Sequence, residues 1–140
     1  MKEDLKKIIL SQKDQNDEFL INYDVDEYIA KLWEFATIIP YYNCSKLKGF
    51  IAYYSNDFTD WNAYLTIIVI DKSFRGEGIG ELILRSSISD LINRGFKNYR
   101  LEVSKTNSKA ITLYKKNGFQ IEKDMGESWL MNLNLDKNAN

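Results

Sequence analysis

The run Asn62-Ala63-Tyr64-Leu65-Thr66-Ile67-Ile68-Val69-Ile70, followed after a short polar gap by Arg75-Gly76-Glu77-Gly78-Ile79-Gly80, decides how this chain is read. The first segment is β-branched and strongly apolar, which predicts a strand in the middle of a sheet. The glycines of the second let the backbone turn tightly and approach a ligand with no Cβ in the way. Beyond them Leu84, Ile88, Leu91 and Ile92 recur at helical spacing and Gly95 follows, which predicts a helix over 79–94. The N–H groups at such a helix start point outward with about half a positive charge behind them. Strand, glycine loop and helix start together predict a pocket for a phosphate or pyrophosphate.

Two other phosphate loops fail on their residues. No Gly-Lys-Ser/Thr follows, which excludes a Walker-type nucleotide loop. A dinucleotide fingerprint begun at Gly76 requires glycine at 81, where Glu81 stands; begun at Gly78 it requires glycine at 83, where Ile83 stands. A glycine-rich turn without a ligand stays open as the structural alternative.

Outward from this centre, the first 38 residues read as helical, with Leu5, Ile8, Ile9 and Gln12 on one face. Asp24 and, three residues on, Glu27 form a capping-box-like pair. They open a second helix whose apolar stripe is Tyr28, Ile29, Leu32, Trp33, Phe35 and Ala36, with Pro40 expected to end it. Residues 41–44 and 49–55 predict a hairpin around a turn at 45–48, and residues 56–60 a polar loop. Residues 99–103 predict a short strand and residues 107–117 a helix, with Asn107 near its start and Gly118 as its cap. Segments 119–122 and 129–135 read as a closing pair of strands before a polar tail. The order predicts an α/β (α+β) domain over residues 1–140, with a mixed sheet and helices on both faces.

A second motif narrows the function. Leu101-Glu102-Val103 is followed by Asn107, Ala110, Leu113-Tyr114 and Gly118-Phe119. With Arg75, Gly78 and Gly80, this Asn-x-x-Ala-x-x-x-Tyr-x-x-x-Gly-Phe pattern resembles the GCN5-related N-acetyltransferase superfamily. The resemblance runs from about Gly49 to Phe119, with both motifs in order and at family spacing. It implies a mostly antiparallel central sheet, an acetyl-CoA-binding core over 49–119 and a helical acceptor-side segment over 1–38. It also implies that backbone groups of Ile68, Val69 and Ile70 pair with the pantetheine amides like an added strand. Arg75 and the amides of Gly76, Glu77, Gly78, Ile79, Gly80 and Glu81 would hold the pyrophosphate. Asn107 would bond the cofactor near its pantetheine arm, and Tyr114 would sit beside the sulfur. Many members carry proline where Lys72 stands, a departure that alters the turn without removing the anion site.

Composition bounds the chemistry. The 140 residues are 44% hydrophobic and 28% charged, with net charge −1, no histidine and one cysteine. Without histidine there is no Ser-His or Cys-His pair and no His-containing metal site, so no metal is expected. One cysteine excludes an internal disulfide framework and suits a reducing cytoplasm, as expected for a bacterial-type enzyme of this resemblance. The charged N-terminus is unlike a signal peptide, and neither nucleic acid nor membrane is an expected partner. Locally the balance differs. Segment 97–123 carries Lys97, Arg100, Lys105, Lys109, Lys115, Lys116 and Lys123 against Glu102 and Glu122, while segment 1–30 is acidic. Such halves suit a phosphate-bearing ligand and a cationic one, although solvated helix faces explain them as well.

The reading is an N-acetyltransferase that uses acetyl-CoA as cosubstrate and a small-molecule or peptide amine as acceptor, by direct attack in a ternary complex. A non-catalytic acyl-CoA-binding or partner-docking module is the alternative, and either a monomer or a homodimer fits. By resemblance Tyr114 is the acid for the leaving sulfur; packing beside Ala110, Leu113 and Phe119 is its structural reading. The strand over 62–70 holds no carboxylate, so the candidate base is Glu102. In ribosomal-protein N-terminal acetyltransferases, which resemble the chain at Leu-Glu-Val, the glutamate has that role. A framework carboxylate hydrogen-bonded inside the sheet or paired to Arg100, a water relay and Tyr64 are its alternatives. Phe19, Tyr23, Tyr53, Tyr54 and Tyr64 are candidates to line an acceptor cleft, and Cys44 is expected to be an inert strand residue.

Overall fold

The structure, a computed structural model, describes residues 1–12 and 24–138. The helical expectation for residues 13–23, and with it Phe19 and Tyr23, lies outside the described residues. Helices α1 (Lys2–Ser11) and α2 (Val25–Phe35) precede strands β1 (Ala36–Asn43), β2 (Lys46–Tyr54) and β3 (Asn62–Ile70). A 3₁₀ turn (Lys72–Phe74), α3 (Ile79–Asn93), β4 (Asn98–Ser104), α4 (Ser108–Lys116), β5 (Gln120–Asp124), β6 (Ser128–Asn134) and α5 (Leu135–Asn138) follow. The strands form one six-stranded sheet in the order β1-β2-β3-β4-β6-β5. It is mixed: β3 and β4 run parallel, whereas β4–β6 and β5–β6 are antiparallel.

Two expectations change at the first strands. Pro40 does not end α2; that helix stops at Phe35, and Pro40 lies inside β1. Thr37, Ile38 and Ile39 are stiff at χ1 and favour extended backbone, and β1 is an edge strand, where a missing N–H is tolerated. The hairpin turn is shorter than expected. Only Cys44 and Ser45 connect β1 to β2, with φ of 51° and 66°, the signs a two-residue type I′ turn requires. Cys44 is therefore an exposed turn residue and not the strand residue expected. Of the α2 stripe only Ile29 and Leu32 are buried; Trp33 and Phe35 are 47% and 52% exposed. The capping pair is as the sequence suggests, with the Asp24 side chain accepting from the Glu27 N–H at 3.2 Å.

The chain divides into two compact units. The first comprises residues 1–52 and 67–84. Its core holds Leu5, Ile8 and Ile9 of α1, Ile29 and Leu32 of α2, Phe50 and Ile51 of β2, Ile67 and Val69 of β3, and Ile83 and Leu84 of α3. Gly49 is required there for packing, because a Cβ on it would stand 2.9 Å from the Val69 carbonyl oxygen.

The second unit comprises residues 53–66 and 85–140. A file of rings runs through it: Tyr53 to Tyr99 at 5.8 Å, Tyr99 to Phe119 at 5.6 Å, and Phe119 to Tyr114 at 5.7 Å between centroids. Their buried hydroxyls need partners. Tyr99 donates to Ser87 Oγ at 2.9 Å, and Tyr53 donates to Asp90 at 2.7 Å. Asp90 also accepts from Arg94, which reaches Ser55 as well. Tyr53 thus belongs to the core and not to a cleft, Tyr54 is half-buried and Tyr64 is exposed.

Burial alone would raise the Asp90 carboxyl, but the bonds from Tyr53 and Arg94 outweigh it and hold the group below the usual carboxylate range. Tyr53→Phe should cost about 1–2 kcal/mol near neutral pH, since the carboxylate loses a donor. As the pH falls and Asp90 protonates, that stability is lost in the parent too. Urea titrations at pH 7 and pH 3 should show the gap between parent and variant closing in acid; an equal gap at both would contradict the assignment.

Candidate functional site

The glycine loop belongs to the first unit. Asp71 caps the 3₁₀ turn, its carboxylate accepting from the Ser73 N–H and hydroxyl, both at 3.1 Å. The backbone bond from Ser73, with help from Lys48 at 3.9 Å, holds Asp71 below the usual carboxylate range. This cap supplies the stiffness that a proline in place of Lys72 would bring. Arg75 folds back, its Nε donating to the Ile70 carbonyl at 3.2 Å and its guanidinium also bonding the Gln12 side chain. Gly76 and Gly78 then take φ of +82° and +80°, which an L side chain adopts only under strain. Leu82 N–H donates to the Gly78 carbonyl at 3.1 Å, so the helical ladder starts beyond Ile79 and Gly80, whose N–H groups lie before it.

The strand that feeds this loop offers backbone groups selectively. Asp71 N–H donates to the Lys48 carbonyl at 2.7 Å, and the Val69 carbonyl lies against Gly49. Residues 69 and 71 therefore turn their polar backbone toward β2, and by strand alternation Ile68 and Ile70 turn theirs to the other side. The Ile70 carbonyl is held by Arg75. Among the described residues, what remains on that side is the N–H and carbonyl of Ile68 and the N–H of Ile70.

The second unit holds the other predicted residues. Asn107 is the N-cap of α4, its Oδ1 accepting from Ala110 N–H at 3.2 Å, which leaves its Nδ2 to face outward as a donor. Seven residues on, Tyr114 is buried with 6% exposure. Gly118, at φ +99°, closes α4, and Phe119 N–H returns to the Tyr114 carbonyl at 3.0 Å. The Gly-Phe pair of the motif is thus a helix stop that lays Phe119 on Tyr114. Burial pushes the Tyr114 phenol up to about 12, and its hydroxyl has no hydrogen-bond partner among the described residues. It is a phenol kept protonated at neutral pH.

Glu102 stands exposed on β4, on the face opposite Tyr99, Leu101 and Val103. The framework pairing with Arg100 does not occur. Arg100 instead makes two bonds to Glu122, at 2.9 and 3.1 Å, and a third to Asn62 Oδ1 at 3.1 Å. The partner of Glu102 among the described residues is the Ser128 hydroxyl. Ser128 lies diagonally across the β4–β6 ladder, in which Glu102 faces Leu130 and Ser104 faces Ser128. The β3–β4 ladder runs from Asn62↔Asn98 to Tyr64↔Arg100, and no later residue of β3 enters it. Sequence reading named Glu102 but missed Ser128 and the Arg100–Glu122 pair. These come from strand register, for which the chain carries no local signal.

A family model described as the acetyltransferase (GNAT) family matches residues 5–119. The chain belongs to this family. The mouse thialysine N-epsilon-acetyltransferase is 35% identical over 88 residues, 61% of this chain and 51% of that protein. The streptothricin acetyltransferase of Streptomyces lavendulae is 36% identical over 75 residues, 52% of this chain and 38% of that protein. The chain spans about half the length, or less, of the curated relatives it matches. Among solved structures, the PaiA N-acetyltransferase of Thermoplasma acidophilum in complex with coenzyme A has a TM-score of 0.73 at 18% identity, covering 95% of this chain and 92% of that one. Aminoglycoside 6'-acetyltransferase type Ii has a TM-score of 0.75 at 16% identity, covering 96% and 89%. At these identities the likeness is one of fold.

The loop glycines of this GNAT chain differ in what the fold asks of them. Gly80 has ordinary helical backbone, and an added Cβ would meet Ile70 at a comfortable 3.8 Å. Gly80→Ala should hold or raise stability, by up to about 1 kcal/mol. Gly78→Ala, forced to positive φ, should lower it by about 1–2 kcal/mol. Thermal melts of the two variants should move in opposite directions.

Proposed function

We propose that the chain is an N-acetyltransferase, one domain over its 140 residues, that moves the acetyl group of acetyl-CoA to a primary amine by direct attack in a ternary complex. The observation that carries this is the loop. Two glycines at positive φ lead into a fifteen-residue helix whose first N–H groups lie outside its ladder. Gly80 adds to the case, because it stands where the fold accepts alanine and a backbone-bound pyrophosphate does not.

In this reading Gly76, Glu77, Gly78, Ile79, Gly80 and Glu81 hold the pyrophosphate through their amides, and Arg75 braces the turn. Ile68 and Ile70 offer their outward backbone groups to the pantetheine amides, with Val69 fixing the strand on β2. Asn107 contributes Nδ2 to the same arm. The acceptor nitrogen attacks the thioester carbonyl carbon. An alkyl ammonium ionises near pH ~10, so a base must take its proton; that base is Glu102, directly or through a water. Collapse of the tetrahedral species breaks the carbon–sulfur bond; Tyr114 gives its proton to the sulfur, and the second proton lost by the attacking nitrogen passes to water, from which the phenolate is reprotonated. An acetamide and the free thiol of coenzyme A result. A phenol held at about 12 is fully loaded for this step at neutral pH. The names of the mouse and Streptomyces relatives, with thialysine and streptothricin in them, support an amine acceptor, and the single cysteine supports a reducing, cytoplasmic setting.

Release of free thiol from acetyl-CoA with a panel of amines separates this enzyme from a module that binds acyl-CoA without turnover. Gly80→Ala should weaken coenzyme A binding by at least about tenfold in calorimetry while melting no lower than the parent. Unaltered affinity would remove the pyrophosphate assignment. Tyr114→Phe should lower kcat about 10²-fold with little change in KM for acetyl-CoA and in Tm, since no bonded partner is orphaned. Full turnover would reduce Tyr114 to a packing role.

A further inference from the structure

Glu102 is exposed on a strand whose same-face neighbour two residues back is Arg100. Residues i and i+2 of a strand lie about 6.6 Å apart on one face, well within reach of an arginine side chain. An ion pair between them is the arrangement expected of such neighbours, and it does not form. Arg100 reaches instead across β6 to β5, where Glu122 takes two of its N–H groups at 2.9 and 3.1 Å. Asn62 Oδ1 takes a third N–H at 3.1 Å.

Glu122 owes its place to a fault in the ladder. Ile121 faces Met131 and Lys123 faces Leu130, so Glu122 is the extra residue of a bulge in β5. Bulges at sheet edges re-aim a side chain, and this one sits on an edge strand. Beneath the reach of Arg100 lies Asn132, its register partner on β6, whose Oδ1 is buried with no partner.

We propose that Glu122 is a positioning residue: by holding Arg100 across the sheet it keeps Glu102 free of that cation, with the neutral Ser128 hydroxyl as its partner among the described residues. A carboxylate neutralised by a guanidinium is a poor acceptor of the acceptor amine's proton, whereas one steadied by a hydroxyl keeps its charge and an open oxygen. The inference rests on the reading of Glu102 as the base.

The test is a set of variants assayed by thiol release from acetyl-CoA, using the fastest acceptor among thialysine, spermidine, glucosamine and a lysine-containing peptide. Glu122→Ala should release Arg100 onto Glu102 and lower kcat about fivefold, with KM for acetyl-CoA unchanged. Replacing Arg100 as well, in Glu122→Ala/Arg100→Met, should restore most of the lost rate, which no loss of packing or stability does. Thermal melts on each protein show that all are folded; should Glu122→Ala fail to fold, Glu122→Thr, with better strand propensity, takes its place. A slow Glu122 variant that Arg100→Met does not rescue, or one as fast as the parent while Glu102→Gln is inactive, overturns the role of Glu122 and leaves the base assignment standing. A fully active Glu102→Gln, or no turnover with any acceptor, removes the base reading and this inference with it.

Discussion

A parallel ladder that stops after three residue pairs is the constraint from which the rest of the second unit follows. Asn62, Ala63 and Tyr64 pair with Asn98, Tyr99 and Arg100, and β4 then continues through Ser104 in register with β6 alone. Backbone N–H and carbonyl groups inside a sheet are obligatory hydrogen-bonding groups. A strand edge freed within a sheet is for that reason a place where an extended chain of amides can add itself. Along β4 itself Asn98, Arg100 and Glu102 share one face, while Tyr99, Leu101 and Val103 fill the core on the other.

Holding that geometry takes rigidity that does not come from the open face. It comes from the ring file beneath it, where each aromatic hydroxyl that is fully buried is bonded. Tyr114 ends the file and differs from the others: its ring is packed as tightly, yet its hydroxyl is bonded to none of the described residues.

The sequence made the parts of this design legible to different depths. Strands β3 and β4, helix α3 and the caps Asp24, Asn107, Gly95 and Gly118 follow from local chemistry, because turn and cap residues act within a few positions of themselves. Pro40 misled because its effect depends on where the strand lies in the sheet, which is a tertiary fact. Cys44 misled because a two-residue turn at positive φ has no glycine or asparagine–glycine pair to announce it. In the site, the glycine loop and Tyr114 stand out as motifs. The partners of Glu102 do not: Arg100 lies two residues away and is the obvious candidate, and only the bulge in β5 shows why a residue 22 positions from Arg100 takes it.

The two outer strands have something in common. β1 carries Pro40 and β5 carries the Glu122 bulge with Lys123 and Asp124 after it, and these are the two edges of the sheet. An unguarded edge is a template on which further copies of a chain can stack into fibrils. A proline that lacks a donor and a kinked, charged strand each spoil that template. The displaced glutamate that holds Arg100 across the sheet thus also helps to guard one of its two edges, as Pro40 guards the other.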